Sequence, residues 1–238
     1  MTSKPAPPSA GARHFLDAFK DPEAVAHYAD GPPRFVPGLE SLHRMCGVLL
    51  AERAPEDARV LVVGAGGGLE LKHLADAYPR WTFVGVDPAA AMLRGAQRLL
   101  GPLNDRVDLV EGYVEDVAAG DFDAAVCLLT LHFLDEAERV RTASEIRARL
   151  KPGAPFVAAH GSFPQGPGER DQWLDRYAAF AIASGFDADK ARGAREAVSA
   201  HVSMFAPETD EAILRAAGFK DVTLFYAAFT WRGWVGYA

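Results

Sequence analysis

Basic residues, cysteines and long apolar runs are all scarce in this chain, and each scarcity excludes something. Lys and Arg number 25 against 32 Asp and Glu, a net charge of -7 over 238 residues. A general nucleic-acid binder neutralises phosphates with cations, so no direct nucleic-acid binding is expected. There are only two cysteines, Cys46 and Cys127, too few for a disulfide framework or a cysteine-built zinc site. Both lie in apolar runs and read as small buried hydrophobes. No uninterrupted apolar run is long enough to span a bilayer, so no membrane partner is expected. Met1 to Gly11 is rich in Pro, Ala and Ser and carries no apolar signal region, which makes the cytoplasm the expected location. The seven histidines show no H-E-x-x-H or similar spacing, so no metal is expected.

What is present is the balance of a globular protein, 49% hydrophobic and 24% charged. Residues 1–57 read as a flexible start and an N-terminal helical cap, with short turns over Phe15–Ala29 and a helix from Leu39 to Ala54. From residue 58 the texture changes. Apolar runs at Val60–Val63, Trp81–Val86, Val107–Val110, Phe122–Leu129 and Pro155–Ala159 alternate with helical stretches at Leu69–Ala77, Ala89–Leu100 and Glu136–Leu150. Alternation of this kind predicts an α/β fold, a mostly parallel sheet with helices on both faces. Residues 162–218 interrupt it as a helical insertion, within which Trp173, Tyr177 and Phe180 share one helical face. Two aromatic-rich strands, Val222–Ala227 and Phe229–Val235, close the domain at 58–238.

The first predicted strand ends in Gly64-Ala65-Gly66-Gly67-Gly68 and runs straight into a helix. Glycines let a backbone turn sharply and approach a ligand closely, and a helix start offers free N–H groups. The dinucleotide pattern G-x-G-x-x-G fails at Leu69, and the Gly-Lys-Ser/Thr of a P-loop is absent. The loop serves equally as a tight turn without a ligand. Asp87, ending the second strand, is placed to accept hydrogen bonds from both ribose hydroxyls. With Pro88 it also reads as a helix N-cap, and the two roles are compatible. Glu70, in the first helical turn, is accounted for by the helix dipole.

Taken together, Gly64, Gly66, Gly68 and Asp87 resemble the class I S-adenosylmethionine-dependent methyltransferases, whose Rossmann-like fold has a seven-stranded sheet. The resemblance extends to Met92, to Leu109–Val114, to Val126–Leu134 and to Lys151-Pro152-Gly153. It implies S-adenosylmethionine as cofactor and S-adenosylhomocysteine as product. The cofactor would lie on Gly64, Ala65, Gly66, Gly68, Asp87, Pro88, Met92, Tyr113, Val114 and Leu128. Two positions depart from the family pattern: Val62 stands where an acidic residue is usual, and Tyr113 where Asp is frequent. Tyr113 can border the adenine instead.

Arg34–Gly38, Thr130–Leu134 and Phe225–Phe229 resemble a narrower subgroup that includes the carboxy-S-adenosylmethionine synthases of tRNA wobble modification. In those an arginine of the insertion holds the cofactor's added carboxylate; Arg195 lies near that place and reads equally as a solvated helix arginine. The resemblance also implies an N-terminal segment folded over the cofactor, with Arg34 meeting the methionine carboxylate or remaining a loop arginine in water. Tyr28, His160, Trp173, Tyr177 and Arg195 are the expected acceptor-binding residues. His132, at the rim after the fourth strand, is the expected catalytic group, as base, orienting donor or simple rim histidine. The expected activity is methyl transfer to a small-molecule acceptor by a chain that forms a homodimer. The alternatives are a carboxy-cofactor synthase and a non-catalytic cofactor binder.

Overall fold

The computed structural model describes residues 28–238 together with Leu16, Asp17 and Phe19. Most of the turns expected over Phe15–Ala29 lie outside the described residues; Tyr28–Asp30 forms a short 3-10 turn. The apolar runs become strands: β1 Arg59–Val63, β2 Thr82–Asp87, β3 Val107–Glu111, β4 Ala124–Leu128, β5 Pro155–Gly161, β6 Lys220–Ala228 and β7 Trp231–Tyr237. They form one seven-stranded sheet in the order β3-β2-β1-β4-β5-β7-β6. β1 to β5 pair in parallel, and β7 enters antiparallel between β5 and β6.

Side chains alternate across a strand, so each strand feeds two cores. Val60 and Val62 face one layer, and Leu61 and Val63 the other. The first layer is covered by α2 (Leu39–Ala51), α3 (Leu69–Ala77) and α4 (Ala90–Leu100). The second is covered by α5 (Glu136–Ala148) and α8 (Pro207–Ala216). β4 and β5 are buried along their whole length, which is why their sequences are apolar without alternation. Preceding α2 is one short turn of helix, α1 (Pro32–Phe35). Between β5 and α8 stand α6 (Glu169–Ala183) and α7 (Ala188–His201), with a small core of their own at Phe163, Leu174, Val202 and Met204.

Most predicted boundaries move by a residue or two. β4 starts at Ala124, because Phe122 makes only an isolated bridge to Leu150. Helix α4 is capped by Ala89, so Asp87 and Pro88 precede it and form neither its N-cap nor its first turn. Among the described residues no helix is long and apolar enough to cross a membrane, and no three His, Cys, Asp or Glu side chains are grouped to hold a metal.

A buried ion network fastens α5, β5 and α8 together. Arg139 is wholly buried, binds Asp210 Oδ1 at 2.5 Å through Nη1, donates to the carbonyls of Leu134 and Ser203, and lies over the Phe205 ring. His160 Nε2 lies 3.1 Å from the same Asp210 oxygen. Burial lowers the His160 pKa below its ordinary value, while His160 and Arg139 outweigh burial at Asp210 and hold its carboxyl below the usual range.

Candidate cofactor and acceptor site

A cavity of about 870 Å³ opens at the carboxyl ends of β1, β2 and β4. That is the upper part of the roughly 300–1,000 Å³ range of small-molecule sites. Parallel α/β sheets place ligands at this edge, where β1 is flanked by β2 on one side and β4 on the other. The cavity has two ends of different character.

One end is built by the core. Gly64, Ala65 and Gly66 line it, with Asp87, Pro88, Met92, Tyr113, Val114 and Leu128 around them. Gly64 has φ +72°, and a Cβ there would lie 2.1 Å from Thr130 Oγ1. Only glycine meets both demands. Gly68 does a different job from the one expected. It lies outside the lining, and a Cβ there would come within 2.9 Å of Ala96, so it brings α3 and α4 together. Asp87 Oδ2 accepts from the Gly66 N–H at 2.9 Å, and Oδ1 from the Ala89 N–H at 2.8 Å. These bonds brace the loop and aim the carboxylate, and each oxygen keeps a lone pair for a hydroxyl. Burial raises the Asp87 pKa in spite of them. A glycine cradle beside a desolvated carboxylate fits an adenosine with its ribose diol. The adenine would then lie toward Met92, Tyr113 and Val114.

Tyr28 belongs to this end, not to the acceptor side. A Cβ at Gly67 would meet its ring at 2.7 Å, so the tyrosine covers the glycine loop. Burial, followed by the charges of Glu70 and Asp87, pushes its hydroxyl pKa up. Glu70 also lines the cavity and is 8% exposed, and burial raises its pKa to about 8. A first-turn glutamate stabilises the helix dipole wherever it points, so the sequence alone does not place Glu70 in the cavity. His43, from α2, lines the same end, with its pKa lowered to about 4 by burial and by His73.

The other end is built by the cap, the insertion and β7. Phe35 of α1 stacks on Tyr177 of α6 at 4.8 Å and meets Phe186 edge-on at 4.9 Å. Trp231 stands 6.5 Å from Tyr177 and 5.6 Å from His132. Phe133, Val198, Val202 and Met204 complete an aromatic and aliphatic wall, and Lys190 of α7 also lines the cavity. Phe35, Phe186 and Lys190 were not singled out from the sequence, since nothing in a lone aromatic or lysine of a helical segment tells which way it faces. Side-chain donors of the sheet bond the cap's backbone: Trp231 Nε1 donates to the Phe35 carbonyl at 2.8 Å and the Tyr226 hydroxyl to that of Pro37 at 2.5 Å.

His132 lines the cavity, but as a weaker base than expected. Burial, then the positive charge potential at His160 and Arg139, lowers its pKa well below the ordinary value. Its Nδ1 accepts from the Gly161 N–H at 3.3 Å. The neutral ring therefore carries its proton on Nε2 and offers a donor there. Beside it Leu129 has φ +55°, a strained conformation for a bulky residue, at the point where β4 turns Thr130 against the glycine loop.

Three expected acceptor residues stand away from the cavity. His160 is committed to Asp210 under the sheet. Trp173 packs on the insertion's own core, with Arg176 over its ring at 4.4 Å. Arg195 faces outward and pairs with Asp171 and Asp175 at 2.9 and 3.1 Å, which neutralises it. Arg34 does line the cavity, yet its Nη1 donates to the carbonyls of Gly185 at 2.8 Å and Ser184 at 3.4 Å, capping α6.

The comparisons agree with this architecture. A family model described as a methyltransferase domain matches residues 61–156. A carboxy-S-adenosyl-L-methionine synthase of Chromohalobacter salexigens is 26% identical over 91% of this chain and 82% of its own. The structure of human N-acetylserotonin methyltransferase in complex with S-adenosylmethionine superposes with a TM-score of 0.63 at 14% identity, covering 94% of this chain and 58% of that one. The chain thus spans less than two thirds of that protein. The [4+2]-cyclase SpnF superposes with a TM-score of 0.63 at 20% identity, over 94% of this chain and 78% of that one.

Proposed function

The chain is a class I S-adenosylmethionine-dependent methyltransferase by domain and fold, and on that premise we propose that it methylates a small, flat, largely apolar acceptor held in the aromatic end of the cavity. The observation that carries this reading is the continuity of one cavity, from the Gly64–Gly66 cradle and Asp87 to the wall of Phe35, Tyr177, Phe186 and Trp231.

When bound, the cofactor supplies an electrophilic sulfonium methyl that an acceptor nucleophile takes by in-line displacement. The chain contributes position and dryness. Asp87 and the glycine loop would hold the nucleoside, and Met92, Tyr113 and Val114 would border the base. The aromatic wall orients the acceptor and excludes water, which is where most of the rate advantage of such a reaction resides. His132 donates a hydrogen bond through Nε2 and orients the acceptor; with Nδ1 occupied it is not poised to take a proton.

A second reading, a carboxy-cofactor synthase, is favoured by the curated relatives and weakened by Arg195, which pairs on the outer face. Mass spectrometry of ligand released from purified protein separates the two. S-adenosylmethionine or S-adenosylhomocysteine supports methyl transfer, a carboxylated derivative supports the synthase, and failure to bind any of them by calorimetry defeats both. Radiolabelled transfer to a panel of planar phenols and amines then separates an enzyme from a non-catalytic binder. We further propose a cytoplasmic, homodimeric protein. The exposed Ile182 and Phe229 support pairing, and light scattering tests it.

A further inference from the structure

Glu70 is a buried carboxyl that the proposed transfer does not use. It stands in the first turn of α3, lines the core end of the cavity, and is 8% exposed. Burying a carboxylate is costly unless a cation or several donors meet it. Among the described residues none forms an ion pair with Glu70; its own backbone N–H is its hydrogen-bond donor. The ionisable groups around it bring no positive charge. Tyr28 and Cys46 are neutral because burial pushes their pKa values up, Cys127 likewise, and Asp87, a carboxyl, can add only negative charge. His43, lining the same end, is neutral at any pH well above 4.

The other carboxylates of the cavity are already occupied. Asp87 takes two backbone N–H groups, Glu138 closes the N-terminal box of α5, Asp187 caps α7, and Glu115 faces Arg141 at 3.8 Å. Among the described residues Glu70 is therefore the buried carboxyl of the cavity that meets neither a cation nor a donor from another residue, beside the glycine loop on which the nucleoside would rest.

We propose that Glu70 forms an ammonium subsite, which takes the α-amino group of the cofactor's amino-acid tail. The assignment rests on the reading of this cavity as an S-adenosylmethionine site. A tail carrying NH₃⁺ is the group that converts a costly buried carboxyl into a charge-assisted hydrogen bond. Binding then has a proton signature. In the free protein Glu70 holds its proton up to about pH 8. Pairing with an ammonium favours the ionised form, so binding at pH 7 releases a proton and tightens as pH rises toward 8.

The test is calorimetry with S-adenosylhomocysteine and with 5′-methylthioadenosine, the same nucleoside thioether without the amino-acid tail. Glu70→Gln is expected to weaken S-adenosylhomocysteine about tenfold, the scale of one charge-assisted bond. It should leave 5′-methylthioadenosine unchanged and abolish proton release, measured in two buffers of different ionisation enthalpy. Glu70→Asp, which keeps the charge, should retain part of both effects and serves if the glutamine variant does not fold. Equal weakening of the two ligands, or of neither, overturns the ammonium subsite while leaving the cofactor reading standing. Weakening confined to S-adenosylmethionine would also overturn it, because the sulfonium would then be the partner. Wild-type protein that binds neither thioether would overturn the cofactor reading itself, and the subsite with it.

Discussion

The two ends of the cavity are made by different means. At the core end a few residues with backbone duties, Gly64, Gly66 and Asp87, are held by strand ends and by each other. At the far end the wall is assembled from α1, the α6–α7 hairpin and β7, segments far apart in sequence that meet through aromatic rings. The first end is a local arrangement that any chain with the motif can repeat. The second exists only once the tertiary structure does. On the proposed function, binding of a common cofactor would belong to the first kind and choice of acceptor to the second.

Several experiments would break or sharpen that contrast. The largest effect is expected beneath the core. Asp210→Ala leaves Arg139 and His160 buried without their shared partner, and should cost about 3–5 kcal/mol of unfolding free energy in a denaturant titration. A loss below about 1 kcal/mol would show that the network contributes little. Asp87→Ala comes next. It removes a charged acceptor for two hydroxyls and the brace of Gly66, so the dissociation constant for S-adenosylhomocysteine should rise about a hundredfold by calorimetry. An unchanged constant would end the ribose assignment.

Acid sensitivity is expected to be intermediate. The folded-state pKa of His43 is lowered to about 4, against roughly 6.5 when unfolded, so its contribution is fully present above pH 6.5 and declines below it as the unfolded chain takes up the proton. By pH 5 that amounts to about 2 kcal/mol, and His43→Gln should show a correspondingly smaller fall in stability between pH 7 and pH 5. Arg34→Ala should act only on the assembled end. Amide exchange in 34–36 and 184–186 should speed up by roughly tenfold while β1 to β5 stay protected. The smallest effect belongs to Arg195→Ala. Its partners are largely exposed, so stability should change by less than about 1 kcal/mol and cofactor binding not at all. A marked loss of binding would return the carboxylate-holding role to Arg195.

What was legible in the sequence follows the same division. Apolar runs buried on both faces announce strands, and glycines ending a strand announce the loop, because both signals are local. The mostly parallel sheet follows from the first signal, and the count of seven strands from the family resemblance that the loop carries; the order of the strands is not legible in either. Nor is the orientation of the helical segments. Trp173, Tyr177 and Phe180 share a helical spacing, but they go to three neighbours: the insertion core, the cavity wall and Phe229. Periodicity reports that a face is buried and says nothing about what buries it. Arg195 and Lys190 lie one turn and a fraction apart on α7, and their opposite fates depend on where α6 places its aspartates. Glu70 is obscured for another reason: the helix dipole alone accounts for a first-turn glutamate, so its place in the cavity leaves no separate signal in the sequence.

The bond from Arg34 to the end of α6 has a consequence for how such a protein can be rebuilt. It joins residues about 150 positions apart across the roof of the cavity, and the Phe35 ring fills the space beneath it. The roof is thus a two-part object whose halves pack against each other. Transplanting 162–207 alone onto another core would leave Tyr177 and Phe186 facing a foreign residue where Phe35 should be. Acceptor specificity in this architecture should therefore be exchanged by moving 28–38 and 162–207 as a pair, and a chimera of either half should be the less ordered protein.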